Sequence, residues 1–199
     1  MRGRHPNQAA EPAGPPVLVA GRLIGVRRWE LVVDDAGALR LRGSWGGVWQ
    51  IDGKTTWAQC RRGGADATAR QHRDSAPAGS CCCGLYALHP WKVVGDHHLA
   101  PGPGDSGLAV HGVIEAWGEV QLHHEGFRAQ YARPRYLVVF GSGESTDYGR
   151  LVAQLADSHH AELLEVADPE ALVAYCRRRE LGLGRSTVRS LLGGEDGRR

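Results

Sequence analysis

Four of the chain's five cysteines and one histidine crowd into a single short stretch: Cys60, His72, Cys81, Cys82 and Cys83. Thiolate and imidazole are the side chains that hold a tetrahedral zinc. The spacing is Cys60-x11-His72-x8-Cys81-x-Cys83. Side chains of an extended segment alternate faces, so Cys81 and Cys83 point one way and Cys82 the other. One thiolate from the end of a strand, a histidine from a loop and two thiolates from the next strand make a closed Cys3His site. The expected cofactor is therefore structural Zn on Cys60, His72, Cys81 and Cys83. Such a site leaves no open position for a catalytic water. It also offsets part of the ordering entropy of the loop from Arg61 to Ser80. His89, His97 and His98 are alternative fourth ligands. Redox thiols, a vicinal disulfide, or plain buried cysteines with a loop histidine are the competing readings.

At 199 residues the chain can bury one core, or one core with a small appendage. A net charge of +2 gives no global field for nucleic acid or an anionic membrane. Lys54 and Lys92 are the only lysines, so arginine supplies the other 22 of 24 basic residues. No apolar stretch approaches the roughly 18 residues of a membrane span, and the polar lead has no secretory pattern. A cytoplasmic location is expected, where cysteines stay reduced.

Residues 1–16 carry four prolines and read as disordered, as do residues 193–199. Short β-type runs then follow: Arg22 to Val26, Trp29 to Val33, Leu39 to Arg42, Val48 to Ile51 and Thr55 to Ala58. Gly and Asp turns separate them, the pattern of a meander or small barrel. Gly84 to His89 is a further strand. Leu108 to Val120 and Gln121 to Ala132 form a hairpin turning near Glu125-Gly126. Beyond Pro134 come a compact strand at Tyr136 to Phe140, an amphipathic helix over Asp147 to Ser158 and a strand at Ala161 to Val166. A helix start follows at Asp168-Pro169-Glu170. The expected fold class is α+β: a mainly antiparallel β body over 17–135 with a zinc-clamped loop, then a small α/β extension over 136–192.

The hairpin is dense in polar groups. Trp117 and His123 share a face if the strand is unbroken, and Arg128 across the turn joins them with Glu115 or Glu119. Trp117, His123, Arg128 and Glu115 are therefore ligand-binding candidates for a small anionic or planar molecule. The alternative is a solvated hairpin anchored by its Trp, with Gly126 a turn residue at positive φ.

Several elements together resemble a group of uncharacterised proteins from high-GC actinobacterial genomes. They are Arg28-Trp29-x-Leu31, Leu39-x-Leu41, Trp57-x-x-Cys60, Cys81-x-Cys83-Gly84-Leu85-Tyr86-Ala87, and Trp117-Gly118-x-Val120-x-x-His123-x-x-Gly126-x-Arg128-Ala129. The resemblance spans about Arg28 to Leu137. It implies the cysteine site and the hairpin, and no activity. Cys82 and the insertion from His97 to Gly107 depart from that pattern.

Three motifs carry less. Gly104-Asp105-Ser106-Gly107 resembles a serine-protease nucleophile segment but lacks an upstream histidine base with its usual flanks. Gly141 to Ser145 lacks the lysine of a phosphate loop, and Glu144 would repel phosphate. Leu181 to Leu192 resembles the turn and recognition helix of DNA binders, with Arg185, Ser186, Thr187 and Arg189 as nucleic-acid candidates. Arg177 and Arg178 stand where such units need an apolar and then a small residue.

The leading expectation is a zinc-stabilised binding module for a protein or small-molecule ligand, with no membrane partner. One alternative is a DNA-associated regulator using Arg177 to Leu192. Another is an enzyme with His123 as acid/base and Arg128 holding an anion.

Overall fold

A computed structural model of the protein describes residues 21–43, 47–60, 76–78, 81, 83–93, 108–141 and 147–193. Strand β1, Leu23–Val33, and strand β2, Leu39–Arg42, form an antiparallel hairpin with Val33 opposite Leu39. Asp34 makes its turn by accepting the backbone N–H groups of Ala36 and Ala38, an Asx arrangement. The two runs expected at Arg22 to Val26 and Trp29 to Val33 are thus one strand. Gly25 does not break it because it is a crossing point: a Cβ there would meet Ala87 Cβ at 2.6 Å and the Phe127 ring at 2.7 Å. Val48 to Ile51 forms no strand, only one bridge between Val48 and Arg42.

Strand β3, Thr56–Trp57, is brief, and β4, Leu85–Leu88, leads into a single 3-10 turn at Pro90–Lys92. Strands β5, Ala109–Leu122, and β6, Gly126–Phe140, make the long central hairpin. β1 pairs with β5 along one edge and with β4 and β2 along the other. β6 likewise pairs with β5 on one edge and with β4, β3 and β7 on the other. Because β4 and β5 each bridge β1 and β6, these four strands close a ring. Closure demands close backbone approach. At Gly126 a Cβ would collide with the carbonyl oxygen of Ala87, so this glycine serves proximity and not the positive φ expected of it.

β6 runs past Pro134 and Arg135 without a break, absorbing the strand expected at Tyr136 to Phe140. Helix α1, Asp147–His159, crosses back to β7, Glu162–Val166, which pairs parallel to β6. A parallel neighbour requires such a crossover. Helix α2, Pro169–Arg178, is capped by Asp168, whose side chain accepts the Ala171 N–H at 2.7 Å, and α3 covers Arg185–Leu191. Alternation along β6 sorts the packing. Leu137 and Val139 join Val152 and Leu155 of α1 in the main core. Tyr136 and Val138 join Leu172 and Cys176 of α2 in a second cluster. Seven strands, mainly antiparallel, and three helices among the described residues make an α+β fold. No described helix is long and apolar enough to cross a membrane.

His159 ends α1 with 1% exposure, and burial lowers its pKa to about 4. The unfolded chain takes up this proton near pH 6.5, the folded one only near 4. Stability should therefore fall as pH drops through this window, by up to about 1.4 kcal/mol per pH unit. Urea midpoints measured across the window should show that slope in the native protein and a shallower one in His159→Gln.

Candidate metal centre

The register of β6 brings the cysteines together. The Ala58 N–H donates to the Gln130 carbonyl at 2.7 Å, just past β3, and Leu85 of β4 stands opposite Ala129. Adjacent positions of one strand thus hold the chain two residues before Cys60 and two residues after Cys83. Cys60, Cys81 and Cys83 have their sulfurs within 4.8 Å of one another, and Cys60 and Cys81 are 3.6 Å apart. That separation is far longer than a disulfide bond of about 2.0 Å. It is close to the ~3.8 Å edge of a tetrahedron with ~2.3 Å metal–sulfur bonds. Exposure is between 7% and 9% for all three.

Burial and the neighbouring sulfurs push the Cys83 thiol up to about 11, against the pull of an Ala78 N–H donated to its sulfur at 3.4 Å. Three buried sulfurs at such distances cannot all ionise beside one another unless a cation compensates them. The donor set, soft and tightly grouped, fits a metal ion. His72 and Cys82 lie outside the described residues, as do His97 and His98. His89 is not in the group: it sits at the other end of β4, stacked on Trp91, with Nε2 3.0 Å from the His123 carbonyl.

A buried arginine organises the loop. Arg128, 4% exposed, donates from Nη1 to the carbonyls of Cys81 and Cys83, the latter at 3.3 Å, and from Nη2 to Gln121 Oε1. Gln121 Nε2 in turn donates to the Pro77 carbonyl at 3.4 Å. Gly84 makes room for this arrangement, since its φ is +133° and a Cβ would meet Arg128 Cβ at 2.9 Å. The glycine of the C-x-C-G motif thereby acquires a physical reason.

The four hairpin candidates divide into separate environments. Trp117 pairs with Tyr131 and Val120 with Ala129, so β5 carries one extra residue, centred on Gly118 at φ +81°. This bulge reverses the alternation, leaving Trp117 on one face and Gln121 with Arg128 on the other. On the Trp117 face, Arg22 lies over the indole at 5.5 Å and also bonds Glu115 at 2.6 Å. Arg133 and Arg135 bond Glu115 as well. Burial raises the Glu115 pKa, but the Arg22 and Arg133 hydrogen bonds outweigh it and hold the carboxylate below its usual range. His123 follows β5, where its carbonyl meets His89. Arg185, Ser186, Thr187 and Arg189 are exposed on α3, with the Arg185 guanidinium 5.8 Å from the Trp91 ring centroid. The protease-like segment and residues 142–146 lie outside the described residues.

A cavity of about 310 Å³ is walled by the segments next to Cys60 and Cys83 in the chain. Ala58 and Gln59, leading into Cys60, line it, as do Gly84 and Leu85, leading out of Cys83. Arg27 also lines it, and sequence reasoning missed that residue. Its one signal is a basic residue inside the apolar run of β1.

Removing the Arg128 guanidinium strands buried carbonyls beside the thiols. Arg128→Met should lower unfolding free energy by roughly 2–4 kcal/mol, read from urea denaturation. Arg150→Ala, on the exposed face of α1, should change it by under about 0.5 kcal/mol.

Comparison with protein-family models, with curated proteins and with solved structures finds no match for this chain.

Proposed function

We propose that this protein is a zinc-stabilised binding module, with the cavity beside the thiols as its ligand site. The observation that carries the reading is the convergence of Cys60, Cys81 and Cys83 from two segments that also form walls of that cavity. Three soft thiolates favour zinc over harder cations, and the sequence spacing makes His72 the fourth ligand. Zinc supplies a cross-link here and no reaction, because four protein ligands leave no exchangeable position. Cys60 and Cys83 tie the end of β3 to the start of β4, while Arg128 and Gln121 hold the intervening carbonyls. A reducing compartment such as the cytoplasm keeps the thiols competent.

Reduced protein purified without chelator should hold about one zinc per chain by elemental analysis. Cys83→Ser should lose the metal and lower the thermal midpoint, as should a strong chelator on the native chain. Metal-free protein with an unchanged midpoint in chelator would sink the proposal.

A second reading, contact with nucleic acid, draws support from one feature. Arg185 and Arg189 of α3 border a hollow of about 160 Å³ together with Lys92 and His124. Two or three phosphate contacts there would give a log–log salt slope of roughly −2 to −3, which Arg185→Ala with Arg189→Ala should flatten. Duplex binding that is absent at low salt, or that ignores both substitutions, rejects this reading.

A further inference from the structure

The cavity beside the thiols contains a cation that its described surroundings do not balance. Arg27 lies in the middle of β1 with 8% exposure. Its Nη1 donates to the Tyr86 carbonyl, and its guanidinium carbon sits 5.0 Å from the centroid of the Trp49 ring. Its Nε has no hydrogen-bond partner, and no carboxylate pairs with it among the described residues. Nη2 faces Gly43, where a Cβ would press against it. A guanidinium offers five donors and stays charged at neutral pH even where burial lowers its pKa to about 10. Burying such a group without a counter-charge is costly, and an incoming anion that replaces lost hydration removes the cost.

The rest of the lining narrows the anion. Gln50, Thr56 and Gln59 are its polar neighbours, and Arg27 is the one charged residue among the described lining residues. A single positive charge matches a monoanion, whereas a phosphate dianion would need further cations or converging N–H groups. Val48 and Trp57 also line the cavity, and both belong to the short set of large apolar side chains left exposed, Trp57 at 50%. A half-exposed indole and a valine beside a buried guanidinium suit a flat apolar body carrying one carboxylate. The volume, about 310 Å³, lies at the small end of ligand sites.

We infer that the cavity between β1, β3 and the start of β4 binds a small planar monocarboxylate, with Arg27 pairing the carboxylate and Trp57 covering the apolar body. This inference rests on the binding-module reading and adds the ligand class to it.

Isothermal titration of the zinc-loaded full chain with naphthoate tests it, with naphthamide and inorganic phosphate as comparisons. Naphthoate should bind one per chain, at least tenfold more tightly than naphthamide, and phosphate should not saturate. Arg27→Gln should abolish the preference for the acid over the amide. Gly47 also lines the cavity, and a Cβ there meets nothing within 4 Å, so Gly47→Phe should fold normally and block the site. Trp57→Ala should weaken naphthoate by about tenfold without changing the thermal midpoint. Equal affinity for acid and amide, saturation by phosphate in place of naphthoate, or native affinity in Gly47→Phe overturns the inference. Zinc content measured on the same samples separates the two ideas. Stoichiometric zinc without naphthoate binding defeats the ligand class alone, and naphthoate binding by reduced protein that purifies without zinc in the absence of chelator defeats the clamp alone.

Discussion

One buried cation, the Arg128 guanidinium, decides how the centre of this protein is put together. It reaches from β6 to two carbonyls of the cysteine-bearing loop and to the Gln121 amide of β5. The loop lies more than forty residues before the hairpin that supplies the other two groups, and no apolar contact could set its orientation as narrowly. Charge-assisted hydrogen bonds in a dry interior are short and directional. The thiols inherit their grouping from this arrangement, and so do the cavity walls that adjoin them.

The ring of β1, β5, β6 and β4 imposes the second constraint. Its perimeter is small, so backbones cross within contact distance at Gly25, Gly112 and Gly126. At Gly112 a Cβ would strike the Tyr136 carbonyl and, at 2.8 Å, the Trp29 ring. The buried side chains of these strands divide between the two core clusters, with α1 against one and α2 against the other. The α/β unit is therefore built onto the same strand that aligns the cysteines.

How much of this was legible in the sequence depends on the range of the interaction. Local rules served well. Asp168-Pro169 announced α2, the long extended run before Glu125-Gly126 announced the central hairpin, and the C-x-C spacing announced two thiols that meet at one site. Rules that assume an unbroken strand failed at Gly118, where a single extra residue carried Trp117 away from Arg128. Gly126 read as a positive-φ turn residue because a glycine required for interstrand proximity looks the same in sequence as one required for a turn. Arg27 was unreadable for a similar reason. Its burial depends on Trp49, Gly43 and Tyr86, which no sequence spacing connects to it.

Gln59 and Gly84 each touch two things at once, a cysteine along the chain and the cavity across it. Were a metal held by the thiols and a guest held in the cavity, their occupancies would be thermodynamically linked: a guest that narrows the spread of wall positions would raise metal affinity by the same factor that the metal raises affinity for the guest. Such coupling would need no dedicated switch, only a stretch of shared backbone.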